Sequence, residues 1–158
     1  MGWKEWVSVL ELSCMWQIAT VREKAMKKIL EFQVSATDGQ LELLRLSTRL
    51  GIQEIRDAAI QALWHILGPI ELVRLGTELQ VDEWLLQGYT RLAHEGISME
   101  DEKQLGWKTA SKLFRIRDEY LQMLYKDPRS THASSSIVSR TIKKVFVEEL
   151  NQAAWVRR

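Results

Sequence analysis

A pattern of polar and apolar residues that recurs three times constrains the fold more than any other feature of the sequence. Ser13 and Arg22 recur 34 residues later as Ser47 and Arg56, and the apolar positions around them recur in the same register. A third copy begins a further 29 residues along the chain. Repeats of this length are typical of helical hairpins, each of which buries its apolar face against its neighbours. The matched positions of the first copy are Leu10, Leu12, Ser13, Trp16, Ile18, Val21, Arg22, Ala25, Met26 and Ile29.

Each copy is predicted to form two antiparallel helices. Apolar residues follow one another at spacings of three and four, and no long segment alternates with period two, so the fold class is predicted to be all-α. Gly51 predicts the turn of the second hairpin. The small residues Ala25, Ala59 and Gly88 occupy matching positions, where they predict a close approach of the two helices of each hairpin.

The sequence predicts stacked helical-hairpin repeats, about eight or nine helices in all, with a C-terminal helix appended. Residues 1–125 are assigned to the repeat domain. Residues 126–136 are rich in serine and predict a linker. Residues 137–158 predict an amphipathic helix whose apolar face favours packing on the bundle.

Composition restricts the function classes. The 22 basic and 21 acidic residues leave a net charge of +1, which argues against a protein that binds polyanions through its overall charge. Cys14 is the single cysteine, which excludes a disulfide within the sequence and favours a reducing compartment. No apolar run approaches the roughly 20 residues that span a bilayer. We therefore expect an intracellular protein of the cytoplasm or nucleus that does not associate with membranes.

No catalytic, cofactor-binding or metal-binding pattern occurs in the sequence. It contains no HExxH, CxxC, calcium-loop, phosphate-loop or GxSxG pattern, and its three histidines have no partner at ligand spacing. We therefore expect a protein that is not an enzyme and that uses no cofactor and no metal ion.

Three segments resemble a known family. Residues 6–16 (WVSVLELSCMW), 81–86 (VDEWLL) and 105–109 (LGWKT) resemble, in the same order, the region that follows the BTB/POZ domain in fungal BTB/POZ-domain proteins. The resemblance covers residues 3–125 and is comparable to the helical BACK region of substrate adaptors. It implies a module that presents partners or substrates within a BTB-type adaptor, of which this chain would be a part or a remnant.

The resemblance has two departures. The sequence contains no BTB domain, so dimerisation and cullin docking are assigned to none of its residues. In addition, residues 38–67 correspond to an extra hairpin between the first and second hairpins of the family.

The leading functional hypothesis is a protein-interaction module. Trp16 and Trp84 are interpreted as core residues. Trp3 and Trp6 are predicted to form an exposed apolar patch, which would favour self-association or docking of another protein.

The alternative hypothesis is a small helical regulator associated with nucleic acid. Arg22, Lys24, Lys27 and Lys28 concentrate positive charge on the second helix, and residues 126–158 form a second basic region. The equivalent helices of the other copies contain Asp57 and Glu83, so the repeated unit is not itself basic, and this alternative is the less favoured one.

Overall fold

The structure is a computed structural model that describes residues 2–32, 34, 36–126 and 131–154, with the backbone alone at 131–135 and 154. These residues form ten helices and no strand, which confirms the predicted all-α class. The helices are α1 (Trp3–Met15), α2 (Ala19–Glu31), α3 (Thr37–Leu50), α4 (Gln53–Leu63), α5 (Pro69–Glu78), α6 (Asp82–Glu95), α7 (Met99–Leu105), α8 (Trp107–Lys126), α9 (Thr131–Val145) and α10 (Val147–Ala154).

The first six helices form three hairpins with the same turn. Gln17, Gly51 and Gln80 each have a left-handed backbone, with φ of 55°, 66° and 55°. In each turn the amide of the next residue donates a 2.9 Å hydrogen bond to the carbonyl five residues earlier, as at a Schellman helix end. These amides belong to Ile18, Ile52 and Val81. The turns are separated by the same 34 and 29 residues as the sequence copies, so the helical repeat is confirmed.

The predicted close approach of the two helices is confirmed in the third hairpin, and the matching small residues of the other two hairpins are buried. Ala25 and Ala59 are fully buried. A Cβ atom built on Gly88 would lie 2.7 Å from Val73 Cγ2 and 2.9 Å from the carbonyl oxygen of Pro69. The third hairpin is therefore packed so tightly that only glycine fits at this position.

Residues 1–66 and 67–158 form two compact units. The first unit contains α1–α4, and the second contains α5–α10. This differs from the predicted division into a repeat domain of residues 1–125 and an appended helix. The difference arises because the C-terminal helices belong to the core of the second unit.

The C-terminal segment packs as its apolar face predicts. Helix α9 packs on α6 and α8, and α10 packs on α5, α6 and α9. Val138, Ile142 and Phe146 are buried in one cluster with Tyr89. The rings of Tyr89 and Phe146 are stacked, with their centroids 4.0 Å apart and an angle of 16° between their planes. Helices α9 and α10 are therefore part of the core of the second unit and are not an appended segment.

The predicted linker over 126–136 is wrong at both of its ends. Lys126 is the last residue of α8, and residues 131–136 belong to α9, so that helix begins before the expected Ile137. Residues 127–130 of the predicted linker and residues 155–158 of the predicted helix lie outside the described residues. Serine lowers helix stability by only a few tenths of a kcal/mol relative to alanine. Burial of the Val138–Ile142 stripe therefore outweighs the serine content.

Candidate interaction surface

Five large apolar side chains are exposed around the turn between α1 and α2. They are Leu12, Met15, Trp16, Ile18 and Val21, and we call this set the corner surface. Helix geometry explains the exposure of the α1 members, since each residue advances by about 100° around the helix. Leu10 and Ser13 lie on the buried side of α1, so Leu12 and Met15 face away from it.

Trp16 corrects one sequence prediction, and Trp84 confirms another. Trp16 was interpreted as core but is 66% exposed, because it follows the last residue of α1 and projects from the turn. Trp84 is fully buried, as predicted. Trp16 lies at the end of the first helix of its hairpin, whereas Trp84 lies in the first turn of the second helix, so the two tryptophans differ in position as well as in burial.

The repeat shows that three positions of the corner surface, those of Leu12, Ile18 and Val21, are buried in the other two hairpins. Ile18 and Val21 are 40% and 38% exposed, whereas their counterparts Ile52 and Ile55 are 2% and 1% exposed. In the third hairpin the counterparts of Ile18 and Val21 are also buried; they are Val81 and Trp84.

The matching leucines in the first helix of each hairpin show the same difference in burial. Leu12 is exposed, whereas its counterparts Leu46 and Leu75 are buried. Residue type and position in the repeat are the same in all three cases. The difference therefore lies in whether a neighbouring element covers the position.

A groove of about 710 Å³ runs beside the corner surface, between α1 and the end of α3. Leu12, Met15 and Leu50 supply apolar atoms to its walls. Glu11 of α1 and Arg49 of α3 form an ion pair across it. Because both side chains are substantially exposed, this pair contributes below about 1 kcal/mol to stability and has more influence on the orientation of a bound molecule.

Trp3 and Trp6 do not form the predicted exposed patch. Both are partly buried. A Cβ atom built on Gly39 would lie 3.2 Å from Cζ2 of Trp3, so the ring of Trp3 packs on α3. A signal in the sequence could have revealed this, because Trp3, Trp6, Leu10 and Ser13 follow one another at spacings of three and four on one side of α1.

The basic residues of α2 divide into two groups. Lys24, Lys27 and Lys28 share a helix face, whereas Arg22 lies more than about 100° around the helix from each of them. Lys28 donates a 2.6 Å hydrogen bond to Glu31, and this bond holds the pKa of the Glu31 carboxyl below its ordinary value. The three lysines therefore form the stripe that the nucleic-acid alternative requires, and Arg22 lies outside it.

Comparisons with family models, curated proteins and solved structures found no significant match to this chain. The similarity to post-BTB regions accordingly stays a prediction. The described residues contain no group of three or more His, Cys, Asp or Glu side chains placed to hold a metal ion. Among the described helices, none combines the length and the apolar character required to cross a membrane.

Proposed function

We propose that this chain is a non-enzymatic protein-interaction module that binds a partner protein through the corner surface. The supporting observation is that Ile18 and Val21 are exposed where the matching positions of the other two hairpins are buried. A repeat that faces only solvent carries polar residues on its outer side, because exposed apolar area is unfavourable. The first hairpin instead retains the apolar residues of a covered repeat.

The residue types of the corner surface favour a protein partner. Tryptophan and methionine are enriched in protein interfaces, where a large side chain can be fully desolvated. Trp16 and Met15 are the two most exposed members of the corner surface. Together with the adjacent groove, they form a largely apolar site that also contains the Glu11–Arg49 ion pair, and an amphipathic helix has matching apolar and charged faces.

The sequence resemblance supports the same class of function. Post-BTB helical regions lie in adaptors, so we propose that this chain acts as part of a BTB-type adaptor. Trp16, Trp84 and the Gly106–Trp107 pair are the rare residues on which this resemblance rests. The corner surface would then be the place where the module contacts a second protein.

Affinity purification with quantitative mass spectrometry tests the proposal. The test variant is Trp16→Glu combined with Val21→Glu, which places charge on exposed positions and should leave the fold intact. The matched control is Lys24→Glu combined with Lys27→Glu, on a different face of the same hairpin. We expect stoichiometric partners to be recovered with the wild type and the lysine control, and to be lost with the corner variant.

Two outcomes would contradict the proposal. One is recovery of the same partners with the corner variant, provided that circular dichroism shows an unchanged melting temperature. The other is loss of binding only in the lysine control, together with salt-sensitive recovery of nucleic acid by the wild type, which would favour the alternative function. Sedimentation velocity of the same three proteins shows whether the partner is a second copy of the chain.

A further inference from the structure

Helix α8 carries four exposed apolar side chains that the proposed interaction function does not use. They are Trp107, Phe114, Leu121 and Tyr125, and we call this set the α8 stripe. Trp107 and Tyr125 are 72% and 89% exposed, and the other two are about half exposed. Since each residue advances by about 100° around a helix, the four side chains lie within about 40° of one another. They therefore form one continuous apolar face, about 27 Å long.

The spacing of the α8 stripe is typical of helices that pair. Its first three members are separated by seven residues each, and the fourth follows four residues later. Apolar residues at these intervals keep facing the same neighbouring helix when two helices wind around each other. A different face of α8 is already packed, because Ala110, Leu113 and Ile116 are buried. Helix α8 therefore has one apolar face in the core of its unit and a second one open to solvent.

The area of the α8 stripe is sufficient for the pairing of two copies. An aromatic side chain contributes roughly 150–250 Å² when it is completely exposed, so the four side chains together expose roughly 500 Å². Contact between two such stripes would remove roughly 1,000 Å² from water, which is near the lower limit for a specific protein interface. We therefore expect reversible association with a dissociation constant in the micromolar range.

Two charged residues beside the α8 stripe favour an antiparallel pair. Asp118 lies at one edge of the stripe, and Arg115 lies on the same side of the helix, one turn earlier. Both side chains are exposed. The stripe is centred on residue 116, so Arg115 and Asp118 lie on opposite sides of its centre. In a symmetric antiparallel pair, the arginine of each copy therefore lies beside the aspartate of the other.

The local contacts of Asp118 leave room for this ion pair. Its Oδ2 atom accepts a 2.9 Å hydrogen bond from Nε2 of Gln122. A carboxylate accepts several hydrogen bonds, so a guanidinium group can bind at the same time. A parallel pair would instead place the two copies of Asp118 at the same height, where their like charges repel.

We infer that the α8 stripe binds the α8 stripe of a second copy of this chain, with the two helices antiparallel. Trp107 of each copy would then lie beside Tyr125 of the other. The α8 stripe belongs to the unit of residues 67–158, whereas the corner surface belongs to the unit of residues 1–66. The inference therefore stands whether or not the corner surface binds a protein. A dimer of this kind carries two corner surfaces, which would strengthen binding to a partner with two matching sites.

Sedimentation velocity of the full chain, from about 1 to about 200 µM, tests the inference. We expect the wild type to change from monomer to dimer within this range. Phe114→Glu combined with Leu121→Glu should remain monomeric throughout. The matched control is Lys108→Gln combined with Lys126→Gln, which changes the net charge equally on a different exposed face of α8. The control and the corner variant should dimerise like the wild type.

A charge exchange tests the orientation of the two helices without removing any apolar side chain. Arg115→Asp should weaken the dimer about fivefold, because it places like charges at two symmetric contacts. Arg115→Asp combined with Asp118→Arg should restore the affinity of the wild type. Failure of the second change to restore affinity would overturn the antiparallel arrangement.

Three other outcomes would overturn the inference. The first is a wild type that stays monomeric at about 200 µM, in which case the α8 stripe is a surface for a different protein. The second is unchanged dimerisation of the Phe114 and Leu121 variant. The third is loss of the dimer in the corner variant, at an unchanged melting temperature, which would place the interface in the first hairpin.

Discussion

The first and third hairpins have the same turn but different surroundings. Gln17 and Gln80 have the same φ of 55°, and the following amide makes the same 2.9 Å hydrogen bond in both turns. Beyond the turn the two hairpins diverge, because Val21 is exposed and its counterpart Trp84 is fully buried. Local sequence therefore sets the shape of a hairpin, whereas neighbouring elements decide which of its apolar residues leave water.

The difference also separates two kinds of site. In the unit of residues 67–158, the C-terminal helices contribute Val138, Ile142 and Phe146 to a closed core. In the first hairpin the apolar residues of the corner surface are open to solvent. The first arrangement removes apolar residues from water, whereas the second leaves them accessible, which is the property on which the proposed protein interaction rests.

The largest expected effect comes from the tight contact in the third hairpin. Gly88→Ala should lower the free energy of unfolding by about 3 kcal/mol, because the new methyl group would meet the Pro69 carbonyl and cannot be accommodated by a side-chain rotation. The opposite change at the matching position, Ala25→Gly, should cost only about 1 kcal/mol. Urea unfolding of both variants measures the difference, and similar losses would show that the two hairpins are packed equally tightly.

Alanine substitution of the matched leucines tests the difference in coverage directly. Leu75→Ala should cost about 3 kcal/mol, because it leaves a cavity in a packed region. Leu12→Ala should cost less than about 1 kcal/mol, because that side chain is already largely in water. Chemical denaturation provides both values, and a loss at Leu12 as large as that at Leu75 would indicate that Leu12 is covered in solution.

Substitutions in the three turns should change the free energy of unfolding by a smaller amount, and the sign should depend on whether glycine is introduced or removed. Gln17→Gly and Gln80→Gly should each stabilise the protein by about 0.5 kcal/mol, since glycine adopts a positive φ without strain. Gly51→Gln should destabilise it by about 1 kcal/mol for the same reason. Thermal unfolding measures the melting temperature of each variant. If the melting temperature rose in all three variants or fell in all three, a shared left-handed turn would be contradicted.

Alkaline pH should reveal the burial of Tyr89. Its pKa is higher in the folded protein than the ordinary value of about 10, so the unfolded chain ionises first as the pH rises. The contribution of the protonated Tyr89 phenol to the free energy of unfolding is therefore complete below about pH 10, and it decreases as the pH rises above that value. The ultraviolet titration should show one of the three tyrosines ionising late, and Tyr89→Phe should remove that step. Persistence of the late step in Tyr89→Phe would assign it to another tyrosine.

The hairpins were predictable from the sequence because their determinants are local. Apolar spacing, Gly51 and the small residues at Ala25, Ala59 and Gly88 act within a single hairpin, and the structure reproduces each of them. The start of α9 was missed because its serines are only weakly unfavourable in a helix. Its position depends on packing against α6 and α8, which lie far away in the sequence.

The corner surface could not be predicted from local patterns. Trp16 has an apolar side chain at an apolar repeat position, but it follows the last residue of α1 and projects from the turn into solvent. The prediction for Trp3 is wrong for a different reason, because its ring packs on Gly39 of α3. The Trp3 error concerns a contact between hairpins, about which the spacing within one hairpin carries no information.

Cysteine labelling at matched turn positions tests the central claim most directly. Ile18→Cys and Ile52→Cys, each combined with Cys14→Ser, place a single thiol at equivalent positions that are open in the first hairpin and covered in the second. In the purified protein a maleimide should react rapidly with residue 18 and slowly with residue 52. In cells that express the protein, a bound partner should make residue 18 slow as well. Equal labelling rates at residues 18 and 52 in the purified protein would contradict the difference in exposure. Rapid labelling of residue 18 in cells as well as after purification would contradict the bound partner.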